Sequence, residues 1–303
     1  MLGRLRMPVE AAIEAYRTLA RTVFGETKLW WQEGAFKAEN LELAIKDVVN
    51  KNCSNLPEAN GSNTRMLEVQ DINQDPPQCC VFVCAVARTT LDFAPRFRTY
   101  PVHECALDDC FIWEAARATT AATTYFKPIS IKQKGGDIEY VDAGLNRRNN
   151  PIQELLDEAA SYHHFRGRRV AAIISIGTGR KPPKRLPKYE LHEVHRYKVA
   201  KTLQKIVTDC QESHQVAAKR FRDIPGVYFR FNVDQGVGNV ALSEWEAFQT
   251  LQTDTTSYVM ENDTTVSIDQ AVTALNKTFE DHDMITIERA AGIVTARRVA
   301  KHV

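Results

Sequence analysis

Apolar residues recur at helical spacing near the start of the chain: Val9, Ile13, Tyr16, Leu19 and Val23. That period predicts a helix from about Pro8 to Phe24 with these residues on its buried face. Proline suits the first helical turn, and Gly25 suits the stop. Leu41, Ala44, Ile45, Val48 and Val49 repeat the pattern and predict a second helix over about Ala38–Asn50. The stretch Lys51–Pro77 is polar and punctuated by Asn, Gly, Asp and Pro, so it reads as a surface loop, in part disordered. Cys79–Ala87 is a continuous apolar run, the pattern of a central strand buried on both faces. Phe97–Val102 reads as a further strand and Phe111–Ala118 as a buried helix, followed by the small-residue run Thr119–Thr124. Lys134-Gly135-Gly136-Asp137 reads as a hairpin turn between Ile129–Ile131 and Ile138–Val141. A helix is expected after Pro151, and a second strongly apolar strand over Val170–Ile176. After a basic, proline-containing loop at Arg180–Lys188, the chain reads as mainly helical, interrupted by a strand at Tyr228–Val233. Strands alternating with helices predict an α/β layered fold with a partly parallel sheet.

Composition narrows the function classes. The 303 residues carry 39 Lys and Arg against 38 Asp and Glu, a formal net charge of +1, which makes no electrostatic case for nucleic acid as the main ligand. No apolar run reaches the roughly 20 residues of a membrane-spanning helix, and Met1–Pro8 has no apolar core of a signal peptide. Of seven cysteines, Cys79, Cys80 and Cys84 fall in the apolar run and read as reduced core thiols of an intracellular protein. His103, Cys105 and Cys110 do not match a common zinc spacing, so no metal is expected.

Two loops follow apolar strands, where α/β sheets place ligands. The first is Tyr140-Val141-Asp142-Ala143-Gly144-Leu145. Asp142 at the strand end, beside small residues, could serve as a general base toward a hydroxyl within hydrogen-bond reach. From these residues alone the commoner role is the better reading, a turn residue that binds nearby amides. The second loop, Ser175-Ile176-Gly177-Thr178-Gly179, lacks the lysine and spacing of a P-loop and reads as a tight turn. The glycines of Gln235-Gly236-Val237-Gly238 are weak evidence for a dinucleotide site. No serine has the Gly-x-Ser-x-Gly setting of a nucleophile elbow. The histidines at 103, 163, 164, 192, 195 and 214 lie in polar or helical contexts and read as surface residues. Arg166-Gly167-Arg168-Arg169 reads as a solvated loop, with contact to anionic headgroups as the alternative.

The segment from Ile112 to Phe126, with Trp113-Glu114-Ala115-Ala116-Arg117-Ala118-Thr119-Thr120-Ala121-Ala122, changes the reading. It resembles the W-E-A-x-R-A-T-S-A-A-P-x-Y-F segment of patatin-like phospholipases, departing at Thr120 and Thr123. The resemblance continues through Val141-Asp142-Ala143-Gly144, similar to the family's D-G-[GA] motif with Ala143 at the first glycine. It extends through Asn149-Asn150-Pro151, Ile174–Gly179 and Tyr228–Val233, the last similar to the Y-x-R-F-N-V strand of fungal-type members.

The resemblance implies a three-layer α/β/α sandwich with a central, mostly parallel sheet, here N-terminally incomplete. It implies a Ser-Asp dyad in which Asp142 is the aspartate and Ala143 and Gly144 are its motif neighbours. The serine's G-T-S-T-G-G-L-I-A-I-M-L-G-R-L elbow would place the nucleophile roughly eight residues before Met1, so this chain is expected to be inactive alone. The expected function is phospholipase A-type hydrolysis of a phospholipid or acyl-lipid at a membrane surface, in lipid breakdown, with no metal or cofactor. The expected location is cytoplasmic, with peripheral contact at membranes. The alternative is a non-catalytic lipid-surface or protein-interaction module. Residues 1–180 are expected to form the patatin-like domain and 181–303 a mainly helical extension packed on it.

Overall fold

A computed structural model describes residues 1–26, 35–68, 79–92, 94–102, 109–146, 148–180, 210–234, 236–277 and 284–293. The expectations for 181–209, including most of the basic loop, and for His103 and Cys105 lie outside these residues. The chain divides into two compact units, Met1–Arg148 with Ala241–Phe248, and Asn149–Val240 with Gln249–Val303.

The first unit opens with α1 (Val9–Phe24) and α2 (Ala38–Asn52). Pro8 precedes α1 with an extended ψ and Gly25 ends it. Against expectation, Val9, Ile13 and Tyr16 are exposed, while Ala12, Ala20 and Val23 are buried and Ala15 and Leu19 pack on the core. The helix is rolled onto its small residues, which let α1 and α2 approach closely. The period marks an apolar stripe but not which flank of it is pressed inward. Strand β1 (Phe82–Ala87) is buried over Cys84–Ala87, as its continuous apolar run predicts. Its neighbours are β2 (Arg96–Arg98) and β4 (Gly136–Asp142), and β4 pairs in turn with β3 (Ile129–Gln133).

All three pairings in this sheet are antiparallel, with Val83 opposite Phe97, Ala85 opposite Asp142 and Ile131 opposite Ile138. The mostly parallel sheet that the resemblance implies is therefore absent from this unit's described strands. Burial on both faces produces the apolar run of β1, and burial says nothing of direction. Direction follows from the connections: the short segment between β1 and β2 and the tight turn at Lys134–Gly135 admit only antiparallel returns. Gly136, with φ +121°, takes a backbone conformation that side chains disfavour.

Helix α3 (Ile112–Thr119) lies on β1, β3 and β4, and α2 lies on α3. The Glu114 carboxylate accepts the Phe111 N–H at 2.8 Å and caps the first turn. The polar stretch after α2 is not simply a surface loop. Cys53, Leu56, Thr64 and Met66 are buried, and Arg4 donates from Nε to the Met66 carbonyl at 3.0 Å.

In the second unit, α4 (Ile152–Ser161) follows Pro151. The apolar stretch at Val170–Ile176 is two strands instead of one. Its first part, β5 (Arg169–Val170), pairs antiparallel with β8 (Ile285–Thr286), and β6 (Ile173–Ile176) pairs parallel with β7 (Tyr228–Phe231). The break at Ala171–Ala172 lets one run serve two sheets. Helices α5 (Gln211–Arg220), α6 (Phe248–Met260), α7 (Asn262–Leu275) and α8 (Ile287–Ala291) complete the described α-helices. Ile152, Leu156, Ile173, Phe221, Val227 and Ile285 form the main core of this unit, and Phe229 packs on Ala271 and Ala274 of α7. The chain as a whole is mixed α/β. No helix among the described residues is long and apolar enough to cross a membrane.

Candidate functional site

Asp142 is the last residue of β4. Its N–H donates to the Ala121 carbonyl at 3.0 Å, which ties the strand end to the small-residue turn after α3. Ala115, Ala118 and Ala121 are wholly buried there, and Thr119 Oγ1 donates to the Cys84 carbonyl at 2.7 Å. Alanines at these points allow helix and sheet to close to backbone contact, so the segment is core. Ala143 packs with Cys84, Val86 and Val141, and Ala143–Asn146 forms a 3-10 turn.

The Asp142 carboxylate is half-buried, and its Oδ1 accepts the Gly144 N–H at 3.0 Å. That bond caps the 3-10 turn, the role of an ordinary turn aspartate. Among the described residues no further hydrogen bond reaches the carboxylate, so no serine or histidine is joined to it. Burial pushes its pKa above the usual carboxylate value, and the Gly144 amide opposes that rise. A carboxylate partly stripped of water is a stronger base, which suits proton abstraction as well as it suits a turn.

The other sequence candidates resolve differently. Gly177 N–H donates to the Phe231 carbonyl at 2.8 Å, and Gly179 N–H to Asn232 Oδ1 at 3.0 Å. The two glycine amides are thus spent inside the protein, as a tight turn requires, and are not available to cradle phosphate. Cys79 is exposed, Cys80 partly so, and only Cys84 of that trio lies in the core. Burial, with Glu114 and Asp109 nearby, pushes the Cys110 thiol far above its usual pKa. Among the described residues no group of His, Cys, Asp or Glu could hold a metal ion.

One polar group in the second unit was not anticipated. Arg230 Nη1 donates to Ser175 Oγ at 2.9 Å, and Ser175 Oγ donates to Asn150 Oδ1 at 3.1 Å. His214 Nδ1 lies 3.0 Å from the Tyr228 hydroxyl, so this histidine is not a simple surface residue. Its signal was present: Tyr228, Arg230 and Asn232 alternate with Phe229 and Phe231, the period of a strand with one polar face.

No protein-family model matches the chain. It is similar to "Calcium-independent phospholipase A2-gamma" of Mus musculus, 27% identical over 281 residues, which covers 87% of this chain and 32% of that protein. Against the protein of the same name from Homo sapiens it is 27% identical over 250 residues, 77% of this chain and 28% of the relative. The chain thus spans about a third of the length of the curated relatives it matches. The likeness is distant, and it is to proteins named as phospholipases.

Proposed function

We propose that this chain is the larger part of a fungal-type patatin-like lipid acyl hydrolase in which Asp142 is the general base of a Ser-Asp dyad. In this reading, completion of the domain by a segment with the Gly-x-Ser-x-Gly elbow yields the three-layer α/β/α sandwich. The serine oxygen attacks a phospholipid or acyl-lipid ester carbonyl while Asp142 takes its proton. The acyl-enzyme that forms is then hydrolysed by water. Ala143 and Gly144 shape the turn that presents Asp142. No metal or cofactor is needed, and the protein works in the cytoplasm at a membrane surface. The observation that carries the reading is the desolvated carboxylate at the strand end, within a chain distantly similar to phospholipases.

The 303-residue sequence contains no Gly-x-Ser-x-Gly. Expressed alone, it should hydrolyse neither phospholipids nor p-nitrophenyl acyl esters above background, since losing even one oxyanion donor costs about 100- to 1000-fold in turnover. Fusion to a family segment carrying the elbow and the oxyanion loop should restore hydrolysis, and Asp142→Asn should then abolish it with the fold intact. Robust esterase activity of the chain alone would overturn its expected inactivity. Full activity of the fused Asp142→Asn variant would overturn the assignment of the base.

A second reading, a non-catalytic lipid-surface or protein-interaction module, is favoured by one observation: Val9, Ile13 and Tyr16 lie exposed along one flank of α1. Under it, the chain floats with phosphatidylcholine vesicles, and Ile13→Glu releases it.

A further inference from the structure

The parallel pair β6–β7 carries a polar group that the hydrolase reading does not use. Ser175 Oγ accepts from Arg230 Nη1 at 2.9 Å and donates to Asn150 Oδ1 at 3.1 Å. Arg230 Nη2 reaches Cys210 Sγ at 3.6 Å and Asn232 Oδ1 at 3.5 Å. No carboxylate pairs with Arg230 among the described residues, so its charge has no counter-ion there. Arg230 Nε and Asn150 Nδ2 are both shielded from solvent and, among the described residues, have no hydrogen-bond partner. Asn150 is only 5% exposed, and its amide is held at this group by Ser175. Buried donors without acceptors are costly, about 1–3 kcal/mol each and more when charged. Two of them flanking one hydroxyl, one carried by an uncompensated cation, call for an acceptor that brings negative charge.

We propose that Arg230, Asn150 and Ser175 form a binding site for a phosphate-class oxyanion. The donors come from three separate segments: the turn before α4, β6 and β7. That arrangement suits a tetrahedral anion, whose oxygens point in several directions, better than a planar carboxylate, which a single guanidinium fork satisfies. The Tyr228 phenol, 3.0 Å from His214 Nδ1, lies beside this group and supplies a further hydroxyl. His214 beside it is held below its usual pKa by burial and by the Arg230 and Arg180 cations, so the imidazole stays neutral and leaves the positive charge with the arginines. The site lies where β6 and β7 run toward their carboxyl ends, the side on which parallel strands present ligands. Gly177 borders it: a Cβ there would collide with the Asn232 side chain and the Arg230 guanidinium. A free phosphate and the phosphate of a lipid headgroup present the same chemistry of recognition.

The test uses the full chain, with inorganic phosphate and glycerophosphocholine titrated separately by calorimetry and by thermal unfolding, against chloride at equal ionic strength. Saturable binding is expected, with a rise in Tm of about 2–4 °C at tenfold excess over Kd. Binding of phosphate alone identifies free phosphate as the source; binding of both identifies a headgroup. Arg230→Gln should lose affinity at least about tenfold. Asn150→Asp supplies a carboxylate in place of the ligand, so it should abolish phosphate binding and raise Tm in phosphate-free buffer. It keeps the test open if Arg230→Gln does not fold. Asp142→Asn should bind phosphate as the parent does, which separates this site from the proposed dyad. Absence of saturable binding to either probe, or unchanged affinity in both Arg230→Gln and Asn150→Asp, overturns the proposal.

Discussion

Asp142 places one carboxylate under two demands, a turn to cap and a charge to keep out of water. Desolvation raises its folded-state pKa above the unfolded one, so the folded chain binds this proton more tightly. Its contribution to stability is therefore fully present below the unfolded carboxylate pKa and is lost as pH rises through the folded value. At neutral pH the buried charge is a net burden that asparagine would remove while leaving an oxygen for the Gly144 N–H. Asp142→Asn should accordingly raise Tm, relative to the parent, more at pH 7 than at pH 4; thermal unfolding at both values checks this. An equal effect at both pH values would mean that burial does not perturb the group. Legibility at this scale was uneven. The position of Asp142 at a strand end could be read from the apolar run before it and the small residues after it. Its hydrogen bond to Gly144 could not, because both candidate roles use the same residues.

Elements show why small residues matter more than the apolar period suggests. Ala118 and Ala121 are wholly buried where α3 and its turn meet β1 and β4. Replacing either with leucine should overpack the contact and cost about 1–3 kcal/mol. Ala116→Leu, on the partly buried side of α3, should cost less. Denaturant midpoints for the three variants give the ranking, and equal costs would count against the packing account. Gly177 makes the same point in a turn: Gly177→Ala would push into Asn232 and Arg230. It should destabilise the chain by a few kcal/mol, roughly the penalty of overpacking, and a Tm equal to the parent's would contradict that geometry. In α1 the hydrophobic stripe was legible and its contact was not, since exposed Val9, Ile13 and Tyr16 share the helix with buried Ala12 and Ala20.

Over the whole molecule, the cysteines offer a direct measure of which parts are closed to solvent. Cys53, Cys84 and Cys110 are buried, whereas Cys79 is exposed. Iodoacetamide should therefore alkylate Cys79 first in the native protein and reach Cys53, Cys84 and Cys110 only on unfolding; early labelling of Cys110, read by peptide mass mapping, would contradict its burial. At this scale the division between what sequence and structure decide is clearest. The sequence by itself determined α1 to α4, the apolar strand β1, the hairpin at Lys134–Asp137, the absence of a serine elbow, and the likeness to phospholipases, because local periodicity, turn residues and motifs are written in contiguous residues. Only the tertiary structure decided that the β1 sheet is antiparallel, that the run Val170–Ile176 is shared between two pairings, and that Ala241–Phe248 belongs with Met1–Arg148 in one unit while the flanking segments form the other. It alone also brought Asn150, Ser175 and Arg230 together. Each of these depends on which distant segments pack against one another, and burial imprints the same apolar pattern on a strand whichever neighbour it meets and in whichever direction that neighbour runs.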